Sequence, residues 1–327
     1  MEFIIILIAL AVERFYTKAE NYRKCGWFAH YCNWMRDKSE SVASLLPSVK
    51  GPLSLLILLA PIVIIVAFAE SIFANMGSLF SFIFGIVVLI YSLGPRDISN
   101  QVKQYLESLA AGDTADALLH ANTFFSGHHY KPEFEGTPHV IAGVMERGIL
   151  LAFNNRILAV LFWFIILGPV GALTYRLTIF LLERFAGGYF GQLHSTSAEI
   201  EIDQATDFES EFKLAVQRLY MILGWIPARL SVVAFALAGS FSDTLLCWNC
   251  AKDFFSKNND ELIVSSGLHA LKMGVGPSEQ SLNTVSEDID QSENDVFKVK
   301  QVLELVKWSR LVVVTIIALM TIVGWVY

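Results

Sequence analysis

Two arginines stand inside apolar runs of this sequence, each a few residues after a proline. Residues 168–176 read Gly168-Pro169-Val170-Gly171-Ala172-Leu173-Thr174-Tyr175-Arg176, and residues 224–230 read Gly224-Trp225-Ile226-Pro227-Ala228-Arg229-Leu230. A guanidinium cannot shed its charge, so hydrocarbon is a costly place for it. A proline inside a helix leaves the carbonyl four residues back without its usual donor and disturbs the turn. The two features together, twice, predict two proline-broken membrane segments around a polar site. Arg176 and Arg229 would hold an anionic group there, a phosphate or a carboxylate, helped by the free amides of broken helix ends. Gly168, Pro169, Trp225 and Pro227 form the structural part of that motif. A competing reading has each arginine snorkel to the interface or pair with a carboxylate to fix helix packing. Arg176, late in its segment, suits snorkelling better than Arg229, which is followed only by apolar and small residues until Asp243.

Other polar groups cluster nearby in sequence. Glu146, Arg147, Asn154, Asn155 and Arg156 lie immediately before the first of these segments and could line a pocket at the bilayer surface; the alternative is the wet face of an interfacial helix. Arg96 and Asp97 follow Gly94-Pro95 at the end of an earlier apolar run, either as a membrane exit or with Asp97 partnering a buried arginine. Cys247-Trp248-Asn249-Cys250 has redox or zinc spacing with Cys25 and Cys32, but apolar neighbours favour ordinary buried thiols. His120, His128, His129 and His139 crowd one stretch without the helical spacing of a metal pair. Residues 199–211 carry six acids and no base, which reads as a solvated loop because no EF-hand pattern accompanies them. No P-loop, dinucleotide fingerprint or nucleophile elbow occurs. No metal is expected.

The elements that must position these residues are membrane helices. Hydrophobic residues make up 54% and charged residues 17%, and the mean hydropathy is +0.51. Runs at 53–69, 77–95, 157–182, 219–241 and 311–326 are each about long enough to cross a ~30 Å hydrocarbon layer. The shorter apolar run at 3–12 stops at Glu13-Arg14 and reads as a retained segment. The chain is therefore expected to be all-α and polytopic, with about five or six hydrophobic segments, two of them proline-broken, and a helical cytoplasmic insert. It divides into 1–94 (an N-terminal membrane segment, a basic amphipathic stretch and a helical hairpin), 95–156 (the insert), 157–241 (the proline-broken core and its acidic loop), 242–310 (a polar region and linker) and 311–327 (a last span). Segments 13–51, 95–156 and 242–310 hold seven, five and seven Lys or Arg, and the turn at 70–76 holds none. The positive-inside rule puts the first three in the cytoplasm. The side taken by 183–218 depends on whether both broken segments cross fully. Within the insert, Asp113 and Thr137-Pro138 are helix starts, and Ile141, Val144, Met145, Gly148, Leu151 and Ala152 make an apolar stripe. Residues 276–297 read as a flexible linker, and Val299, Val302, Leu303 and Val306 as a helix running into the last span.

The run Phe162-Trp163-Phe164-Ile165-Ile166-Leu167 leading into the first motif, the Gly224-Trp225-Ile226-Pro227-Ala228-Arg229-Leu230 motif, Glu13-Arg14 and Gly94-Pro95-Arg96-Asp97 together resemble the AmpE family over nearly the whole chain. That resemblance implies an integral protein of the bacterial inner membrane, with a regulatory or sensing role in induction of a class C β-lactamase and a link to muropeptide recycling. AmpE in turn resembles the adenosylcobinamide-phosphate synthases of cobalamin biosynthesis (the CobD/CbiB family), which form an amide using ATP and magnesium. Glu146, Asn154, Arg176 and Arg229 fall where those enzymes carry matching residues. Where they have an Asn-Thr-Leu-Asp run, this chain has Leu177-Thr178-Ile179-Phe180. Where they have paired aspartates, it has Tyr220-Met221-Ile222-Leu223. Carboxylates able to hold magnesium against phosphate are missing at those places.

The resulting expectation is a sensor without a cofactor that binds an anionic small molecule or muropeptide. Membrane lipids and a protein of the β-lactamase response are expected as partners, and no nucleic acid, since no basic stripe is interleaved with aromatics. Two alternatives stay open: a ligase-like enzyme using magnesium and ATP, and a lipid or muropeptide transporter.

Overall fold

A computed structural model describes residues 2–15, 26–43, 50–93, 98–125, 138–185, 207–244, 258–272 and 288–323. These residues form helices and turns with no strand among them. In chain order the helices are α1 (Glu2–Phe15), α2 (Gly26–Ala43), α3 (Lys50–Met76), α4 (Ser78–Ser92), α5 (Ile98–Ala110), α6 (Thr114–Phe125), α7 (Pro138–Ala152), a π-helical turn (Phe153–Leu158), α8 (Ala159–Phe185), α9 (Asp207–Ala238), α10 (Asn259–Ala270) and α11 (Asp288–Ile322). Four stretches are long and apolar enough to cross a membrane: Gly51–Met76, His139–Phe185, Ser210–Ala238 and Asn294–Ile322. Phe3–Val12 and Ser78–Ser92 are shorter apolar helices. The protein is an all-α polytopic membrane protein.

Local rules explain most of the boundaries. Asp113 caps α6, its Oδ1 accepting the Asp116 N–H at 3.0 Å, which satisfies one of the orphan donors of a helix start. Pro138 opens α7 at the position where a missing N–H costs nothing. The α7 stripe is buried at Ile141, Met145, Leu151 and Ala152 as its spacing predicts. The helix expected to run into the last span does so, but it begins at Asp288, so the linker reading fails for 288–297. Asp295 is buried and paired there, and tertiary pairing makes a polar segment helical where composition alone suggests a coil.

The two proline motifs diverge. Gly168 has φ 63° and ψ −153°, a break in the α8 helix, in a region of backbone space that glycine alone adopts readily. Pro169 then starts the second half of α8. α9 is not broken: Pro227 lies inside a continuous helix, which corrects the expectation of a second break. Pro227 cannot bond to the Leu223 carbonyl, and that carbonyl instead accepts the Trp163 indole N–H from α8 at 3.0 Å. A neighbouring helix thus supplies the donor that the proline removed, which is how interior prolines persist in membranes.

Gly168→Ala is expected to lower stability by about 1–3 kcal/mol, because alanine strains this backbone. Its Cβ would also stand 3.0 Å from Glu70 Oε1, although that carboxylate can shift. Thermal unfolding in detergent measures the loss, and a melting temperature equal to wild type would refute it.

α8 packs against α4, α9 and α3, while α9 also meets α3, α10 and α11. Close approach is built in: a Cβ on Gly51 of α3 would lie 2.3 Å from the Glu211 carbonyl oxygen of α9. The π turn touches α7, α8, α9 and α11 at once, so it sits at the hub of the bundle.

Candidate functional site

The polar centre of the molecule is built on that π turn. All six of its residues are buried, including Asn154, Asn155 and Arg156. A π turn widens the helix by one residue and is frequent at functional sites. Here it turns two amides toward α8 and α9. Ser231 Oγ donates to Asn154 Oδ1 at 3.0 Å, and Asn154 Nδ2 donates to Asn155 Oδ1 at 2.9 Å. The Tyr175 hydroxyl donates to the same Asn155 oxygen at 2.9 Å. Asn155 Nδ2 donates to the Tyr220 oxygen at 3.2 Å, and the Tyr220 hydroxyl donates to Asp260 Oδ1. Buried amides and phenols need such partners, since an unmet polar group in a dry interior costs about 1–3 kcal/mol.

Arg229 lies at the edge of this network, 9% exposed. Its Nη1 donates to Asn259 Oδ1 and to the Trp225 carbonyl oxygen at 2.9 Å. The guanidinium stacks 4.4 Å from the centre of the Trp225 ring, an attraction worth about 2 kcal/mol when desolvated. Asn259 is fixed in turn by donating to the Met221 carbonyl at 2.9 Å. α10 therefore inserts its first two residues between the arginine and the tyrosine.

Arg176 is 1% exposed. Glu183 is its electrostatic neighbour and also that of Arg156. Seven residues are about two helical turns, which puts Arg176 and Glu183 on one face of α8. Arg176 is buried, which does not fit snorkelling, and Glu183 is the carboxylate in its electrostatic neighbourhood. Arg156 lies 5.7 Å from the centre of the Phe124 ring. Arg156 Nε and Asp260 Oδ2 are buried and have no hydrogen-bond partner among the described residues. One is a donor that favours an anion; the other is an acceptor, or a donor when protonated.

Asp260 lies outside the membrane-spanning segments. Burial pushes its carboxyl from the usual 3.8 up to about 6, and the Tyr220 hydrogen bond opposes that rise. The raised value means that the folded state holds a proton which the unfolded chain releases. Asp260 is therefore destabilising when charged. Its contribution is least unfavourable below pH 3.8, worsens as pH rises to about 6 and is constant above. Between pH 5 and 7 the site also gains a negative charge. The affinity for an anion is expected to fall several-fold over that range, and Asp260→Asn to remove most of the dependence. Titrating ligand retention at both pH values measures this; an equal slope in the variant would refute it.

The residues singled out from the sequence separate into groups. Asn154 belongs to the buried amide network, Arg229 bonds to Asn259 on the neighbouring helix start, and Arg176 is buried with Glu183 as its electrostatic neighbour. Glu146 lies half-buried on the other side of α7, with Lys298, Asp295 and His139 as electrostatic neighbours, and Arg147 is exposed. The hydrogen-bond network around Asn155 runs through Asn154, Tyr175, Tyr220, Ser231 and Asp260 instead. His139 instead pairs with Asp295 at 2.8 Å. Arg96, Asp97, Cys25, Cys247, Cys250, His128 and His129 lie outside the described residues. Cys32 is buried, and burial pushes its thiol up to about 12, which leaves it no thiolate at neutral pH. Among the described residues, no three His, Cys, Asp or Glu side chains are grouped as metal ligands. An apolar cavity of about 320 Å³ between α2, α3, α4 and α8 brings no charged side chain to its walls.

Sequence reasoning missed Tyr220, Ser231, Asn259, Asp260 and Glu183. Glu183 had a signal, since an acid two turns after a membrane arginine shares its face. Asn258 before Asp260 and Glu261 is a legible helix start. That α10 turns inward is not legible, because a polar first turn ordinarily faces water.

A family model described as regulatory signalling modulator protein AmpE matches residues 1–327. Two curated proteins are similar over part of the chain, both described as cobalamin biosynthesis protein CobD. The one from Stutzerimonas stutzeri (strain A1501) is 27% identical over 192 residues, 58% of this chain and 56% of that protein. The one from Chromobacterium violaceum is 25% identical over 192 residues, 58% of this chain and 54% of that protein. The chain thus spans about half the length of the curated relatives it matches. No solved structure gives a significant match.

Proposed function

The chain belongs to the AmpE family, and from that membership we propose that it is a regulatory sensor of the bacterial inner membrane. It binds an anionic ligand in the buried polar layer around Arg229, and it carries that state to a protein partner in β-lactamase induction. The ligand is a carboxylate- or phosphate-bearing small molecule of cell-wall recycling, in keeping with the family resemblance. No cofactor takes part.

The observation that supports this reading is the charge balance of the layer. Arg156, Arg176 and Arg229 are buried, as are the carboxylates Glu183 and Asp260; Glu183 neighbours Arg176 and Arg156, and burial raises the Asp260 carboxyl to about 6. Asp295, also buried, is engaged with His139 on the far side of α7. Buried charge is tolerated when it is compensated, and an anion bound beside these cations adds to that compensation. The partnerless Arg156 Nε is a donor in reach of that layer.

Native mass spectrometry of the purified protein tests the reading. Wild type is expected to carry an anionic adduct. Protein that carries none, and that retains no carboxylate or phosphate compound from an added muropeptide fraction, overturns it.

A second reading is an amide-forming enzyme acting with magnesium and ATP, favoured by the likeness to CobD-named proteins. It requires magnesium-dependent ATP turnover by the purified chain, and the sensor reading requires that none be found.

A further inference from the structure

We propose that the outward face of α9 is a binding site for an anionic phospholipid, with the lipid phosphate at Arg218 and one acyl chain in the groove that follows it. Arg218, Met221, Ile222, Trp225 and Ile226 line a groove of about 500 Å³. Their spacing of three, four, seven and eight residues places them on one stripe of the helix. Ile222 is 70% exposed and Trp225 40%, and all five belong to a helix long and apolar enough to cross a membrane. The stripe therefore faces acyl chains, which fill an apolar groove without the cost that water would meet there.

Arg218 sets the identity of the occupant. It is the last charge before the apolar run that begins at Leu219, so it stands at headgroup depth while the groove descends from it. Arg229, eleven residues on, is about 16 Å deeper along the helix. No carboxylate among the described residues forms an ion pair with Arg218. An exposed guanidinium at headgroup depth, with no ion pair among the described residues and an apolar groove beside it, complements a lipid phosphate with net negative charge. Trp225 lines the groove. Its ring is held by the Arg229 guanidinium stacked against it, so the wall is preformed and little ordering is needed when a chain enters.

The test uses the full chain in nanodiscs of equal phosphatidylglycerol and phosphatidylcholine, released into the gas phase for native mass spectrometry. Wild type is expected to retain phosphatidylglycerol in preference to phosphatidylcholine. Arg218→Gln should lower that preference about fivefold, the equivalent of the roughly 1 kcal/mol one basic residue contributes at an anionic surface. Ile222→Trp fills the groove with the charge intact and should reduce retention of both lipids. Arg156→Met, which removes a buried donor of the polar layer and leaves every residue lining the groove in place, should keep the phosphatidylglycerol preference, so this proposal and the sensor reading fail separately. Equal retention of the two lipids by wild type overturns the site. So does a preference unchanged in Arg218→Gln, or adducts unchanged in Ile222→Trp. Displacement of the adduct by inorganic phosphate alone would show an anion site without a chain, and would also overturn it.

Discussion

Arg229→Ala is expected to abolish ligand retention while leaving the protein inserted and folded. Removing one partner of a buried, hydrogen-bonded charge contact costs about 2–5 kcal/mol of binding, roughly a 30- to 4,000-fold loss. The fold should tolerate the change, because Asn259 keeps its bond to the Met221 carbonyl and Pro227 keeps the Trp163 indole as the donor to Leu223. Arg229→Lys separates charge from shape. It retains the cation but loses the planar fork that serves Asn259 and Trp225 together, so an intermediate loss is expected. Native mass spectrometry reads both, with detergent melting curves as the control for folding. An alanine variant that holds the ligand as wild type does would move Arg229 to a purely structural role.

Glu183→Gln is expected to lower stability by about 1–3 kcal/mol. Glu183 is the carboxylate set against both Arg156 and Arg176, and all three are buried. Its neutralisation leaves two guanidiniums in a dry layer, which neither can relieve by losing a proton. The double variant Arg176→Met with Glu183→Leu should be less damaging than Glu183→Gln, since replacing both members of a buried pair by apolar groups is often close to neutral. Denaturant-driven unfolding in detergent compares the two. A double variant worse than the single would mean that Arg176 has a larger role than balancing Glu183.

Much of the fold was legible because membranes allow few solutions. Runs of apolar residues about 20 long have to be helices, since the bilayer offers nothing else to their backbone groups. The caps at Asp113 and Pro138 followed from local hydrogen bonding. The break at Gly168-Pro169 followed from backbone sterics, because glycine and proline side by side in a helix leave the chain a natural place to turn. The identity of the arginines followed from their type and surroundings, and both proved buried.

What the tertiary structure decided was partnership. Pro227 has the same local signal as Pro169, yet α9 stays whole because Trp163, sixty-four residues earlier in the chain, reaches its freed carbonyl. Glu146 and Asn154 are two turns apart in sequence, but a π turn begins between them and Asn154 faces the network while Glu146 faces α11. Asn259 and Asp260 look like the wet start of a helix, and instead they are the groups that meet Arg229 and Tyr220. Periodicity and composition report which residues a helix can bury. They do not report which buried group will stand opposite it, because that depends on contacts between segments that are distant in the chain. In this protein the sequence by itself determined the membrane helices and the charges they carry, and only the packing of α8, α9 and α10 around the π turn decided which buried groups those side chains meet.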